Sequence, residues 1–135
     1  MGDRYFTAAE ANELLPIVRP LVQRMVSHRR ALAVATVRHA RIAAKIAGNG
    51  GGVDPHEIDR LQATVEAEAQ AVADAVEELQ RLGLQVKDLD EGLVDFPALR
   101  RDEEVLLCWR LGEEEVAFWH TVDEGFAGRR PLPLE

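Results

Sequence analysis

The fold is decided by residues 54–82, which read DPHEIDRLQATVEAEAQAVADAVEELQRL. Asp54 followed by Pro55 is typical of a helix start, since Asp caps the first turn and proline fits the first helical position. Gly83 lies where a C-terminal helix glycine belongs. Apolar residues recur at alternating steps of three and four, which is the heptad spacing of a coiled coil. We therefore expect a helix from about 55 to 82, roughly 42 Å long at about 1.5 Å per residue.

A second heptad seam precedes this helix. Its members step alternately by four and three residues, and they are Leu14, Val18, Leu21, Met25, His28, Leu32, Ala35, His39, Ile42 and Ile46. Thr7 and Glu10 form a capping box that starts a helix. Pro16 and Pro20 are expected to interrupt that helix early, because proline lacks the backbone donor and clashes with the preceding turn. The sequence therefore predicts a short helix near 8–14 and a long one from about 17 to 47.

The two long helices are expected to form an antiparallel coiled-coil hairpin, joined by a glycine-rich loop at 48–52. Their charges are complementary. Residues 14–47 contain seven basic and no acidic side chains, whereas residues 54–82 contain eight acidic and two basic ones. Closing the loop tightly aligns Ile46 with Ile58 in the seam.

Three polar residues, His28, His39 and Glu68, occupy seam positions where Leu or Ile would pack best. The tight alignment places Glu68 opposite Ala35, one layer from His39. A buried carboxylate near a histidine can fix the register of a coiled coil, or it can bind a metal. Both interpretations of this buried polar seam remain open from the sequence.

Alternation with a period of two begins near residue 84 and predicts a small antiparallel sheet. Strands are expected at 84–87, 93–96, 105–111 and 116–121, with a loop at 112–115.

Pairing of Leu111 with Val116 would then put His120 on one face of the sheet. Cys108 would lie on the other face with Trp119, because successive side chains alternate across a strand. Cys108 is expected to be inert packing, because the sequence places no activating cation near it.

Together these elements predict an α+β fold, in which a long antiparallel helical hairpin packs on a small C-terminal antiparallel β-sheet. One domain is expected over 1–135, with the hairpin at 7–82, the sheet at 84–122 and a tail at 123–135. A six-residue strand spans only about 20 Å, so the sheet should cover about half of the hairpin. The uncovered half predicts a homodimer with a four-helix core.

His120 and its neighbouring carboxylates are a candidate metal site. Asp95, Asp123 and Glu124 are the carboxylates, and a histidine with several carboxylates suits zinc, manganese or iron. In the alternative interpretation His120 hydrogen-bonds to Asp95 or to a backbone carbonyl, because buried polar groups are usually paired within the protein.

Arg129 and Arg130 lie beside glycines in the tail and are a candidate anion-binding site. The alternative is that Arg129 pairs with one of the acidic residues of the C-terminal part.

Composition narrows the classes of function. A net charge of −8 disfavours nucleic acid as a partner, and no apolar run reaches the ~18 residues of a membrane helix. The single cysteine excludes a multi-cysteine zinc site and favours the reducing cytoplasm. No catalytic constellation is complete, so enzymatic activity stays open. We expect a dimeric interaction or regulatory module with a protein partner. The alternative is a divalent-metal-binding protein or small metal-dependent enzyme.

Ten short strings spread along the chain carry a family resemblance. They are YFT at 5–7, EAN at 10–12, LLP at 14–16, VKDLD at 86–90, GLVDFP at 92–97, LCW at 107–109, GE at 112–113, WH at 119–120, GF at 125–126 and GR at 128–129. In these strings the chain resembles an uncharacterised bacterial family, the domain of unknown function 2203. The resemblance implies no activity.

Overall fold

The computed structural model describes residues 4–48 and 52–134. Two helices come first, α1 over Ala8–Gly48 and α2 over Pro55–Arg81. The strands follow as β1 Gln85–Asp88, β2 Leu93–Arg100, β3 Glu103–Arg110, β4 Phe118–Thr121 and β5 Arg130–Pro131. They form one antiparallel sheet in chain order. The predicted α+β fold of a helical hairpin on a small sheet is confirmed, and the segment predicted as a tail adds β5 to that sheet.

The N-terminal caps of both helices are those that the sequence indicates. The Thr7 N–H donates to Oε1 of Glu10 at 2.9 Å, and the Glu10 N–H donates back to Oγ1 of Thr7 at 3.1 Å. At the start of α2, Oδ1 of Asp54 accepts the N–H of His56 at 2.9 Å. These contacts satisfy backbone donors that a helix N-terminus leaves without intrahelical partners.

The end of α2 is a Schellman motif built on Gly83, which has φ 100°. The Leu84 N–H donates to the Leu79 carbonyl at 3.1 Å, and the Gly83 N–H donates to the Gln80 carbonyl at 2.9 Å. A positive φ at this position favours glycine, so the motif turns the chain directly into β1.

The predicted interruption of α1 is wrong, because the helix runs through Pro16 and Pro20. Leu15, Val18 and Leu21 flank the two prolines and are buried in the core. Burial of each of these side chains contributes roughly 1.5–3 kcal/mol. Together they are comparable to the cost of two interior prolines, about 3 kcal/mol each, and the packing keeps the helix continuous.

The predicted alignment of the hairpin is also wrong. Nδ1 of His28 lies 2.6 Å from Oε1 of Glu68, whereas the prediction placed Glu68 opposite Ala35, seven residues further along α1. The two helices are therefore displaced by about one heptad from the tight alignment, which leaves the end of α1 less covered. Ile46 is 42 % exposed there.

The sheet packs on the hairpin through one of its faces. In the β2–β3 ladder, Val94 pairs with Trp109 and Phe96 with Leu107, and all four side chains are fully buried. They join a core that also contains residues of both helices. Because side chains alternate across a strand, the intervening residues of β2 and β3 point to the opposite face, away from the helices.

The predicted pairing of the last two strands is wrong by one residue. Leu107 lies opposite Trp119 and Leu106 lies opposite His120. A shift of one residue exchanges the faces of a strand. His120 therefore shares a face with Cys108, and Trp119 points to the helices.

Asn12 of α1 accounts for this pairing. Its Oδ1 accepts the Val116 N–H at 2.7 Å, and its Nδ2 donates to the Val116 carbonyl at 3.2 Å. Val116 therefore bonds to the helix instead of to β3, and β4 begins two residues later, at Phe118.

The sheet covers only one half of the hairpin. Apart from Ala35, the buried residues of α1 lie between Ala11 and Val26, and those of α2 begin at Val72. The other half, residues 27–48 of α1 and 55–71 of α2, is called the distal hairpin below. Ala35 is the one buried side chain among the described residues of this half. No helix in the described part of the chain is long and apolar enough to cross a membrane.

Candidate functional site

Three side chains with metal-binding atoms meet on the face of the sheet that points away from the helices. Asp95 of β2 lies directly opposite Cys108 of β3. His120 of β4 occupies the same face, opposite Leu106. One ligand atom from each of Asp95, Cys108 and His120 lies within 4.8 Å of the other two. The regular antiparallel ladder thus brings three potential ligands from three adjacent strands into one group.

All three residues are buried, with exposed fractions of 1 % for Asp95, 0 % for Cys108 and 2 % for His120. Burial of an ionisable group is costly unless a partner compensates for the lost water. The partners of each group therefore decide what the cluster can do.

One ring nitrogen of His120 is identified as a hydrogen-bond donor by its partner. Nδ1 lies 2.7 Å from the carbonyl oxygen of Thr121, and a carbonyl only accepts, so Nδ1 carries a proton. Nε2 lies 3.0 Å from Oδ2 of Asp95. These two atoms share a second proton, which makes the pair either an imidazolium with a carboxylate or a neutral imidazole with a carboxylic acid. Loss of that proton would free the Nε2 lone pair for a cation.

Burial raises the pKa of Asp95 above its usual range, while the positive charges of His120 and Lys87 act in the opposite direction. Oδ1 of Asp95 is buried and has no hydrogen-bond partner among the described residues. A buried acceptor without a partner costs about 1–3 kcal/mol. His120 and Cys108 both hydrogen-bond to the Asp95 carboxylate, so this orphaned oxygen is the part of the carboxylate that those contacts leave without a partner.

Burial raises the pKa of the Cys108 thiol to about 12, and the negative charge of Asp95 adds to this effect. Cys108 therefore carries its proton at neutral pH in the metal-free protein. A bound cation would reverse this, because metal ions deprotonate a coordinating thiol.

The sequence-predicted metal ligands divide into two groups. Asp95 and His120 lie in contact, whereas Asp123 and Glu124 are exposed and do not belong to the cluster. Glu124 instead bonds Arg130 through Oε2 at 3.0 Å. Cys108, which was expected from the sequence to be inert packing, is the third member of the cluster. A pairing with Leu106 opposite His120 would have revealed it.

Both arginines of the predicted anion site are occupied by carboxylates of the chain. Nη2 of Arg129 lies 2.7 Å from Oε1 of Glu113 and donates to the Cys108 carbonyl at 3.3 Å. Burial alone would raise the pKa of Glu113, but hydrogen bonds from Arg129 and from the Arg110 N–H lower it. An anion would have to displace Glu113 from Arg129 and Glu124 from Arg130.

The polar seam residues do not form one cluster. His28 and Glu68 are in contact, with side chains 39 % and 23 % exposed. His39 is half-buried and lies eleven residues further along α1, about 16 Å along the axis. The structure therefore places a half-buried ion pair, rather than a three-residue site, in the hairpin.

Comparison with known proteins gives one match. No curated protein and no solved structure matches the chain. The family model of an uncharacterised conserved protein, DUF2203, matches residues 4–132. The resemblance inferred from the short strings is confirmed, and the chain belongs to the DUF2203 family.

Proposed function

We propose that the protein binds a divalent transition metal ion through Asp95, Cys108 and His120. The observation that carries this proposal is the buried Oδ1 of Asp95, which has no hydrogen-bond partner among the described residues. Buried polar atoms are nearly always satisfied, and a cation held by both oxygens of this carboxylate would satisfy Oδ1 while Oδ2 stays beside Nε2 of His120. The neighbouring thiol and imidazole supply two further ligand atoms of the kind that such a cation prefers.

The distances within the cluster support tetrahedral coordination. With zinc bonds of ~2.0 Å to nitrogen and oxygen, a tetrahedral site separates these atoms by about 3.3 Å. Nε2 of His120 and Oδ2 of Asp95 lie 3.0 Å apart. A zinc–sulfur bond of ~2.3 Å would set the sulfur about 3.5 Å from each of them, and the present separations do not exceed 4.8 Å. Side-chain shifts of an ångström or so would therefore close the site.

The ligand types select among zinc, manganese and iron. A thiolate is a soft ligand that favours zinc over manganese, and a mixed nitrogen, oxygen and sulfur set is common for zinc. Three protein ligands leave a fourth position for water, as in catalytic zinc sites. Because all three ligands are buried, a stabilising ion fits this site better than a substrate-activating one.

Metal binding would release two protons, since the Cys108 thiol must lose its proton and the proton between Asp95 and His120 must also leave. Affinity for zinc should therefore rise with pH. The positive charge of Arg129 lowers the pKa of Cys108 against the larger effect of burial, and it would also stabilise the thiolate.

The test is zinc and cobalt binding by the purified full chain. Wild type should bind one Zn²⁺ per chain, and Co²⁺ should give a thiolate charge-transfer band that Cys108→Ser removes. His120→Ala should weaken Zn²⁺ binding by at least about tenfold. Glu124→Gln is the matched control, because it removes an exposed carboxylate four residues from His120 and should leave binding unchanged. Absence of Zn²⁺ binding by folded wild type would overturn the proposal. It would also be overturned if Cys108→Ser and His120→Ala bound Zn²⁺ as tightly as wild type does.

A second candidate function, an interaction module, is favoured by a different part of the molecule. Val34, Val37 and Ile46 of the distal hairpin are 60 %, 50 % and 42 % exposed. Contiguous apolar patches on a surface mark interaction sites, and Val34 and Val37 are neighbours on the surface of α1. The second proposal is therefore that the distal hairpin binds another polypeptide, whether or not a metal is bound at the sheet.

A further inference from the structure

We infer that the occupant of the distal hairpin is a second copy of this chain, with α1 of each copy lying against α2 of the other. This inference rests on the second proposed function and is independent of the metal site. Its starting point is an apolar strip on α1. Val34 and Val37 are three residues apart, so they are neighbours on the helix surface.

A groove between the two helices continues this strip. It has a volume of about 380 Å³, and its lining combines the apolar Ala31, Val34 and Leu61 with Arg30 and Arg38. Ala35 at its base is the one buried side chain of the described distal residues. A helical hairpin with so little buried surface gains stability mainly from further packing, so the groove is a place where an added helix would contribute most.

The charges beside the strip identify the partner. On α1, the distal basic residues Arg30, Arg38, Arg41 and Lys45 have no carboxylate within 4.0 Å in the described part of the chain. On α2, Glu57, Asp59 and Glu66 likewise have no cation within that distance. His28–Glu68 is the one ion pair that joins the two helices among the described residues. The basic and acidic sides of the distal hairpin are therefore largely left unpaired within one copy.

A second copy fits this pattern because the surface is complementary to itself. A two-fold rotation places the basic α1 of one copy on the acidic α2 of the other, and the same contact forms twice. An unrelated partner would need basic, apolar and acidic residues in an arrangement that matches this surface. Each exposed ion pair contributes only about 0.2–1 kcal/mol, so the charges select the orientation and the apolar strip supplies most of the affinity.

The size of the surface is adequate. The distal hairpin is roughly 30 Å long and about 20 Å wide, at ~1.5 Å per residue and ~10 Å per helix. A specific interface buries about 600–1,000 Å² on each partner, and the projected area of this surface, about 600 Å², reaches the lower end of that range.

The test measures the mass of the full chain in solution. Wild type should be a dimer by analytical ultracentrifugation, and Val34→Glu should weaken the dimer by at least about a hundredfold, because it removes the apolar contact and its carboxylate pairs with Arg30 and Arg38 on its own helix, which takes those cations from the partner. Ile17→Glu is the matched control. Ile17 is 54 % exposed on the same helix but outside the distal hairpin, so this variant should remain a dimer. Circular dichroism verifies that both variants fold.

A charge exchange tests the arrangement. Arg38→Glu with Arg41→Glu makes one variant, and Glu57→Lys with Asp59→Lys makes the other. Each should dimerise more weakly than wild type alone, and an equal mixture should form heterodimers, because acidic α1 then meets basic α2. A monomeric wild type, or a Val34→Glu variant that dimerises like wild type, would overturn the inference. In that case the broader proposal, that the distal hairpin binds another polypeptide, is tested separately by protein capture. It fails if immobilised wild type captures no protein that is lost from immobilised Val34→Glu.

Discussion

Two histidine–carboxylate pairs in this molecule show that distance alone does not measure an interaction. His28 and Glu68 in the hairpin are closer, at 2.6 Å, with side chains 39 % and 23 % exposed. His120 and Asp95 in the sheet are 3.0 Å apart and 2 % and 1 % exposed. Water screens the first pair, whereas the second has lost its water and depends on its partners.

The surroundings of the two pairs also differ in their exposure to solvent. His28 of the hairpin pair borders an open cleft that is also lined by Arg24, Asp74 and Glu78, so other charged side chains lie close to it. The sheet pair has an orphaned carboxylate oxygen and a thiol beside it. We expect the hairpin pair to fix register and the sheet pair to control stability and metal binding.

The largest effect should come from breaking the buried pair. Asp95→Ala in metal-free protein leaves the imidazole of His120 buried without its partner, and we expect a loss of about 3–5 kcal/mol in the free energy of unfolding. Urea unfolding followed by the fluorescence of Trp109 and Trp119 measures this loss. A loss below about 1 kcal/mol would mean that the buried pair behaves like the exposed one.

An intermediate effect should appear in the dependence of stability on pH. Because burial raises the pKa of Asp95 above its ordinary value of 3.8, the folded protein keeps this proton at pH values where the unfolded chain has lost it. The resulting stability is fully present below about pH 4 and is lost as pH rises through the folded pKa. Asp95→Asn cannot titrate, so its stability should fall less than that of wild type over this window. Parallel profiles in thermal unfolding at a series of pH values would contradict the shift.

The smallest effect should come from the hairpin pair. A double-mutant cycle with His28→Ala and Glu68→Ala should give a coupling of about 0.2–1 kcal/mol, and added salt should reduce it. Chemical unfolding of the four proteins measures the coupling. A value above about 2 kcal/mol would place this pair with the buried one and remove the contrast between them.

Local sequence signals were sufficient for the ends of the hairpin helices and their caps, but not for the continuity of α1 through Pro16 and Pro20 or for the alignment of the two helices. Thr7, Asp54 and Gly83 act on backbone groups a few residues away, so each can be recognised without the rest of the fold. The seam repeats every seven residues, and a displacement of one heptad therefore matches apolar positions almost equally well. Contact between His28 and Glu68 resolves this degeneracy, and the sequence held no means of choosing it over the tight loop.

The candidate site could be predicted only in part, for a related reason. Asp95 and His120 were identified from residue type and strand position. Cys108 was not, because its face depends on a shift of one residue in the β3–β4 pairing. The chain just before β4 is held by the bonds of Asn12 to Val116, more than a hundred residues away in the chain. Local alternation contains no information about such a contact.

The position of Cys108 has a practical consequence. It is the one sulfhydryl of the chain, it is fully covered, and its pKa of about 12 keeps it unreactive. An alkylating reagent can modify it only when the strands around it separate, so the rate of alkylation reports transient opening of that sheet. Fraying at the far tip of the helices would leave the rate unchanged, and a single reagent could therefore time the motions of one half of the molecule separately from those of the other.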